Sequence, residues 1–331
     1  MTIILMLIFT TSIFAQNLIV LNKSENNAMI FDLRSDKLLA KIPTGEAPHE
    51  VAISPDKKFA IITNYGTREN PGNTLTLINL ERLTVEKTIN LENYRRPHGV
   101  AWIDNDKVII TAEANKSIVI VDVKTGETLK SIQTEQDISH MLVLSKDVKK
   151  CFVANIASGS VSVIDLKDSK LLTNIPTGKG SEGIDITPDG NEIWVTNRAE
   201  DSVAVVDAKN FKVKKKIKVD GFPIRVKISS DGKFAVVSCA RAGEIAIIDA
   251  KSKTLIKRIK TAEKSDIETY GRLFGSTFGD SPVPIGIAFA DKNLVYVANS
   301  NADIISIIDI ENGKIIKTIK TGKEPDGIAI W

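Results

Sequence analysis

Two cysteines and three histidines are all that 331 residues offer, too few for a disulfide-built scaffold or a four-thiolate zinc site. Aromatic residues supply only 5% of the chain, so a large core has to be filled by small β-branched side chains. Neither sign of charge dominates: 44 basic against 41 acidic residues leave +3, which gives no electrostatic case for a protein that coats nucleic acid. With 20 glycines and 11 prolines the chain is neither collagen-like nor of low complexity. Its long apolar run, IILMLIFTTSIF over residues 3–14, is short of the roughly 18 residues of a membrane-spanning helix. It reads as a secretory signal peptide over residues 1–15, leaving 16–331 as one domain, secreted or periplasmic and without a membrane span after cleavage.

What the chain has in abundance is a repeat. An aliphatic run ending in Asp recurs as MIFD at Asp32, IVIVD at Asp122, VSVID at Asp165, VAVVD at Asp207, IAIID at Asp249 and ISIID at Asp309, with LTLIN at Asn79 in the remaining slot. The steps between anchors are 47, 43, 43, 42, 42 and 60 residues. Ten residues before most anchors a strand ends in Asn, as at Asn22, Asn155, Asn197 and Asn299. Each copy reads as four short strands separated by turns, and a period near 42 with four strands is that of a propeller blade. Seven copies predict an all-β, seven-bladed propeller. The sequence starts on a second strand (LIVLN) and stops after a first strand (PDGIAIW), so the C-terminal strand is expected to complete the N-terminal blade and leave no edge unpaired.

The segments CFVAN, IWVTN and VYVAN, each followed by a strand ending in Asp, resemble the YVTN-repeat, YncE-like family of seven-bladed propellers over residues 18–331. The resemblance implies the fold. It also implies a spread of functions: cofactor- and DNA-binding periplasmic proteins, surface-layer proteins and, more distantly, lactonases and lyases. Fold alone does not choose among them.

The repeat turns several tempting signals into structure. KVKKKIK at 212–218 lies where an outermost strand is expected, and lysines there block edge-to-edge pairing between molecules. Nucleic acid is therefore not an expected partner, and the chain is expected to be a monomer. Cys151 and Cys239 fall two blades apart, too far for a disulfide.

The unusual features gather in two loop classes that open on one face of a propeller. YGTRENPG lengthens a second-to-third connection; AEKSDIETYGRLFGSTFGDSPV lengthens a fourth-to-first connection and carries Tyr270, Arg272, Phe274 and Phe278, a candidate aromatic cover. His49 (APHEVAI) and His98 (RPHGVAW) occupy one slot before the innermost strand, and His140 (ISHMLVL) is read one position further along. Equivalent slots supply Glu50, Glu182 and Arg225; neighbouring loops add Tyr65, Arg68, Arg96, Glu113, Arg198 and Arg241. Guanidinium groups in a concave site bind carboxylate or phosphate, while His and Glu ligate a divalent ion or move protons.

Three readings follow. The first is a propeller that binds a small anionic ligand or cofactor over the channel, through Arg68, Arg96, Arg198, Arg225 and Arg241 with Glu50, Tyr65 and Glu113 nearby. The second is a metal-dependent lactonase, hydrolase or lyase, in which His49, His98 and His140, alone or with Glu50 or Glu182, hold a divalent metal ion and another of the carboxylates or a histidine moves the proton. The third is a scaffold or single-stranded nucleic-acid binder. Covalent c-type haem is excluded because no CxxCH is present.

Overall fold

The computed structural model describes residues 16–275 and 277–331; the expected signal peptide lies outside them. The described residues form seven four-stranded antiparallel sheets. Here they are blades 1 to 7, with strands counted from the central axis outwards. Six blades are continuous in sequence. Blade 1 combines Pro325–Ile330 as its innermost strand with Asn17–Asn22, Asn27–Asp32 and Lys37–Pro43. Residues Leu18, Ile19 and Val20 face Ile330, Ala329 and Ile328 across that seam, so the ring closes as the sequence predicts.

The anchor aspartates explain the period physically. Asp207 Oδ1 accepts the amides of Lys209 (2.9 Å) and Asn210 (3.0 Å), and Asp122 likewise holds Lys124 and Thr125. Asn79 makes the same pair of contacts with Glu81 and Arg82. The side chain thus builds the tight turn into the outermost strand. The buried Asn ten residues earlier ties the loop entering the blade to its middle strands: Asn197 Oδ1 accepts from Ser181 Oγ, and Asn22 Oδ1 from the Gly322 amide.

Aliphatic side chains of the middle strands point alternately to the two neighbouring blades, and seven clusters of buried residues result, one for each blade-to-blade interface. Blades 5 and 6, for example, interlock Trp194, Val203 and Val205 with Val226, Val237 and Ile248. Cys151 and Cys239 are free thiols buried in these layers. Lys214, Lys216 and Lys218 are exposed on the outermost strand of blade 5, Val213–Lys218; Lys212 precedes it. Among the described residues no helix is long and apolar enough to cross a membrane.

The innermost strands approach one another closely. A Cβ on Gly99 would lie 2.7 Å from the His140 carbonyl oxygen of the next blade, one on Gly286 2.1 Å from that of Asp326, and one on Gly327 2.3 Å from that of His49. Glycine at the third position of these strands lets seven strands crowd around one axis. Gly286→Ala should therefore destabilise the protein by about 1–3 kcal/mol through overpacking. Urea denaturation measures this, and an unchanged midpoint would show that the ring has slack at the axis.

Candidate functional site at the channel mouth

Strand register brings the functional side chains together. The innermost strands Pro48–Ile53, Pro97–Trp102, Ser139–Leu144, Ser181–Ile186 and Pro325–Ile330 place His49, His98, His140, Glu182 and Asp326 at the same second position. His140 is thus equivalent to the other two histidines, a correction of one residue to the spacing read from sequence. The sequence reading also missed Asp326, whose motif PDGIAI aligns with PHEVAI once the C-terminal strand is counted as a first strand.

The three imidazoles form a chain of rings. His49 and His98 have centroids 4.3 Å apart and His98 and His140 3.5 Å apart, with Tyr65 4.9 Å from His49. At one end, His49 Nε2 is 3.0 Å from Lys23 Nζ and 3.5 Å from Asp326 Oδ2, and Lys23 donates to Asp326 at 3.3 Å. At the other, His140 Nδ1 bonds Glu113 Oε1, and its Nε2 lies 3.4 Å from Glu182 Oε1. The Tyr65 hydroxyl donates to Glu113 Oε2 at 2.6 Å. Lys23 follows a strand of blade 1 and sits 303 residues from Asp326 in sequence, which is why no local pattern signalled it.

Below the histidines the channel is bridged. Arg225, on the innermost strand of blade 6, donates to Glu50 Oε1 of blade 2 at 2.7 Å and to Glu182 Oε1 of blade 5 at 3.2 Å. Arg198 donates to Glu182 Oε2 at 2.6 Å. Both arginines, expected from sequence as ligand contacts, are therefore engaged by carboxylates of the protein itself, as burial of charge demands. Burial works against the charge on Arg225, but Glu50, Glu182 and Asp326 more than offset it and raise its pKa. Burial likewise disfavours the charge on Glu182, yet His140, Arg198 and Arg225 bring it down to about 2. Glu50 goes the other way: its burial outweighs Arg225, and its pKa is raised.

The remaining arginines differ. Arg96 lies over the Tyr65 ring, 5.0 Å from its centroid, and donates to the Thr67 carbonyl at 3.1 Å. Arg241 stacks on Phe222 and Phe278. Arg68 is exposed. Among the described residues none of these three has a carboxylate partner. Arg68, Arg96, Lys23, Tyr65 and Leu273 line a cavity of about 600 Å³ on this face, with Glu46 and Glu69 also on its border. A cavity of similar size, about 610 Å³, opens between blades 5 and 6 where Lys214 and Lys253 both pair with Glu192. Its charges are largely satisfied locally and it holds no histidine.

The long insertion does not form an aromatic cover. Arg272 clamps it to Asp303 through two bonds of 2.5 and 2.7 Å, Phe278 packs against both Phe222 and Phe274, and Tyr270 is 92% exposed. Leu273 is the residue that reaches the cavity, and its amide donates to Glu324.

Burial holds His98 and His49 well below the usual imidazole range, with neighbouring cationic groups adding to the effect. Both are neutral when folded, whereas the unfolded chain protonates them below about pH 6.5. Stability is then lost as the pH falls below that value, by up to about 1.4 kcal/mol per pH unit for each imidazole. His140 has the opposite sign: burial lowers its pKa but Glu113 and Glu182 outweigh burial and raise it. Its contribution is present below the unfolded value and is lost as the pH rises through the folded one. His98→Asn should accordingly flatten the decline in stability between pH 6.5 and 5, measured by urea unfolding. An unaltered slope would mean that His98 is charged in the folded protein.

Comparison with known proteins agrees with the architecture. The family model for the YNCE-like beta-propeller matches residues 96–227. No curated protein matches the chain. Among solved structures, a chain of Kuenenia stuttgartiensis hydrazine synthase superposes with a TM-score of 0.71 at 18% identity, covering 88% of this chain and 91% of that one. The dihydro-heme d1 dehydrogenase NirN in complex with DHE gives 0.67 at 16% identity, covering 95% of this chain and 74% of that one. At these identities the likeness concerns fold alone. Seven blades closed by the C-terminal strand, together with the family match across the central blades, show a seven-bladed propeller that resembles the YNCE-like β-propellers over residues 96–227.

Proposed function

We propose that this propeller is an exported, monomeric binding protein that holds a small carboxylate or phosphate anion over the mouth of its channel. The observation that carries the reading is Arg96. It is half-buried in the wall of the 600 Å³ cavity, stacked on Tyr65, and without a carboxylate partner among the described residues. A guanidinium held by an aromatic face keeps its donors oriented for an oxyanion. Arg68 and Lys23 add positive charge to the same cavity, against Glu46 and Glu69, and Glu46 is already held by Asn70 Nδ2 at 3.0 Å. The apolar run at residues 3–14 supports export.

An enzymatic reading, lactonase or lyase, would place the reacting group of the anion next to the imidazoles and carboxylates beneath Tyr65. A single-strand nucleic-acid reading draws less support, because stacking needs a free aromatic face. Tyr65 is flanked by Arg96 and His49.

Calorimetric titration with a panel of small carboxylates and inorganic phosphate tests the proposal. Arg96→Ala should weaken the bound anion at least tenfold while the melting temperature stays within a few degrees. An affinity independent of both Arg96 and Arg68 would place the anion elsewhere.

A further inference from the structure

We infer that His98, His140 and Glu113 form a binding site for a divalent transition-metal ion at the channel mouth, with Tyr65 as the positioning residue for Glu113. This goes beyond the anion reading and does not depend on it. The starting observation is His98. It is fully buried, and among the described residues neither ring nitrogen has a hydrogen-bond partner. A neutral imidazole carries one N–H and one lone pair, and leaving both unmatched inside a protein is costly. His140, also buried, turns Nδ1 towards Glu113 and Nε2 towards Glu182, so Nδ1 is the nitrogen that shares a side with Glu113.

Ligand atoms of His98, His140 and Glu113 all lie within 4.8 Å of one another. Tetrahedral ligands at about 2.0–2.1 Å from zinc are about 3.3 Å apart, so side-chain rotations close the remaining gap without moving a strand. The surroundings suit a cation: Glu50, Glu113, Glu182 and Asp326 converge on this end of the channel, against Lys23, Arg225 and the more exposed Arg198. Outer support is also in place. Tyr65 fixes Glu113 through the oxygen that does not face His140, and Glu182 faces the second nitrogen of His140, the carboxylate–histidine arrangement that orients metal ligands.

Two imidazoles and one carboxylate suit zinc, cobalt or ferrous iron rather than calcium or magnesium, which require oxygen ligands. Three protein ligands leave a coordination position open for water or an exogenous group. His49 stands outside the set because Lys23 and Asp326 occupy its Nε2. The trio of histidines expected from sequence thus divides into two ligands and one partner of a lysine–aspartate pair.

The test uses the full mature chain, stripped with a chelator and titrated with Zn(II) and Co(II) alone. Calorimetry should give one equivalent, and Co(II) should develop the visible absorption of a nitrogen- and oxygen-ligated ion. His98→Ala and Glu113→Gln should each weaken binding at least tenfold, whereas His49→Ala should stay within about threefold of the wild type. Glu113→Gln keeps the side-chain volume and so separates loss of a ligand from loss of fold. The inference is overturned if the wild type takes up less than a tenth of an equivalent at 100 µM metal. It is overturned equally if either ligand variant binds with full affinity. Because no anion is present, this outcome is independent of the anion-binding experiment.

Discussion

Everything at the channel mouth depends on the pairing of Pro325–Ile330 with Asn17–Asn22. A propeller blade buries its aliphatic faces only against two neighbours, so an open ring would expose two such faces at once. The C-terminal strand supplies the missing inner strand of blade 1 and with it Asp326, one of the buried charges of the site. Closure and site assembly are therefore the same event: the chain cannot present its His49–Lys23–Asp326 group without joining its two ends.

The second constraint is space at the axis. Where the innermost strands carry glycine at their third position, the backbones approach closely; where they carry Glu50 and Arg225, long side chains meet across the channel. Arg225 then reaches across the ring to Glu50 and also meets Glu182. The result is a mouth with a floor, in which titratable groups are buried among one another rather than washed by a through-channel. That burial is what drives the imidazoles apart electrostatically, with His49 and His98 held neutral and His140 favoured as the charged partner of Glu113 and Glu182.

A division of labour follows across one face. The buried layer is rich in carboxylate and imidazole and already neutralises its own arginines. The upper layer, over Tyr65, keeps Arg96 and Arg68 without acidic partners among the described residues. Tyr65 belongs to both, since its ring carries Arg96 and its hydroxyl holds Glu113. A ligand seated against Arg96 and a group bound at Glu113 would thus meet through one side chain.

The sequence by itself determined the blades. The anchor Asp recurs because each copy needs the same turn, and turn chemistry is local, so it is written in spacing and residue type. The same periodicity exposed His49, His98 and Glu182 as residues of one slot, and it identified Lys214, Lys216 and Lys218 as outer-edge residues. What only the tertiary structure decided is which charges meet. His140 was misplaced by one residue because its strand opens with Ser139 where His49 and His98 follow a proline. Asp326 and Lys23 escaped because they come together only when the termini pair. Arg225 read as a free cation until Glu50 and Glu182 of two other blades were found against it, and Arg198 until Glu182 of its own blade was. Local geometry repeats and can be read along the chain; electrostatic partnership at the axis is set by seven strands that are distant in sequence and adjacent only in the closed ring.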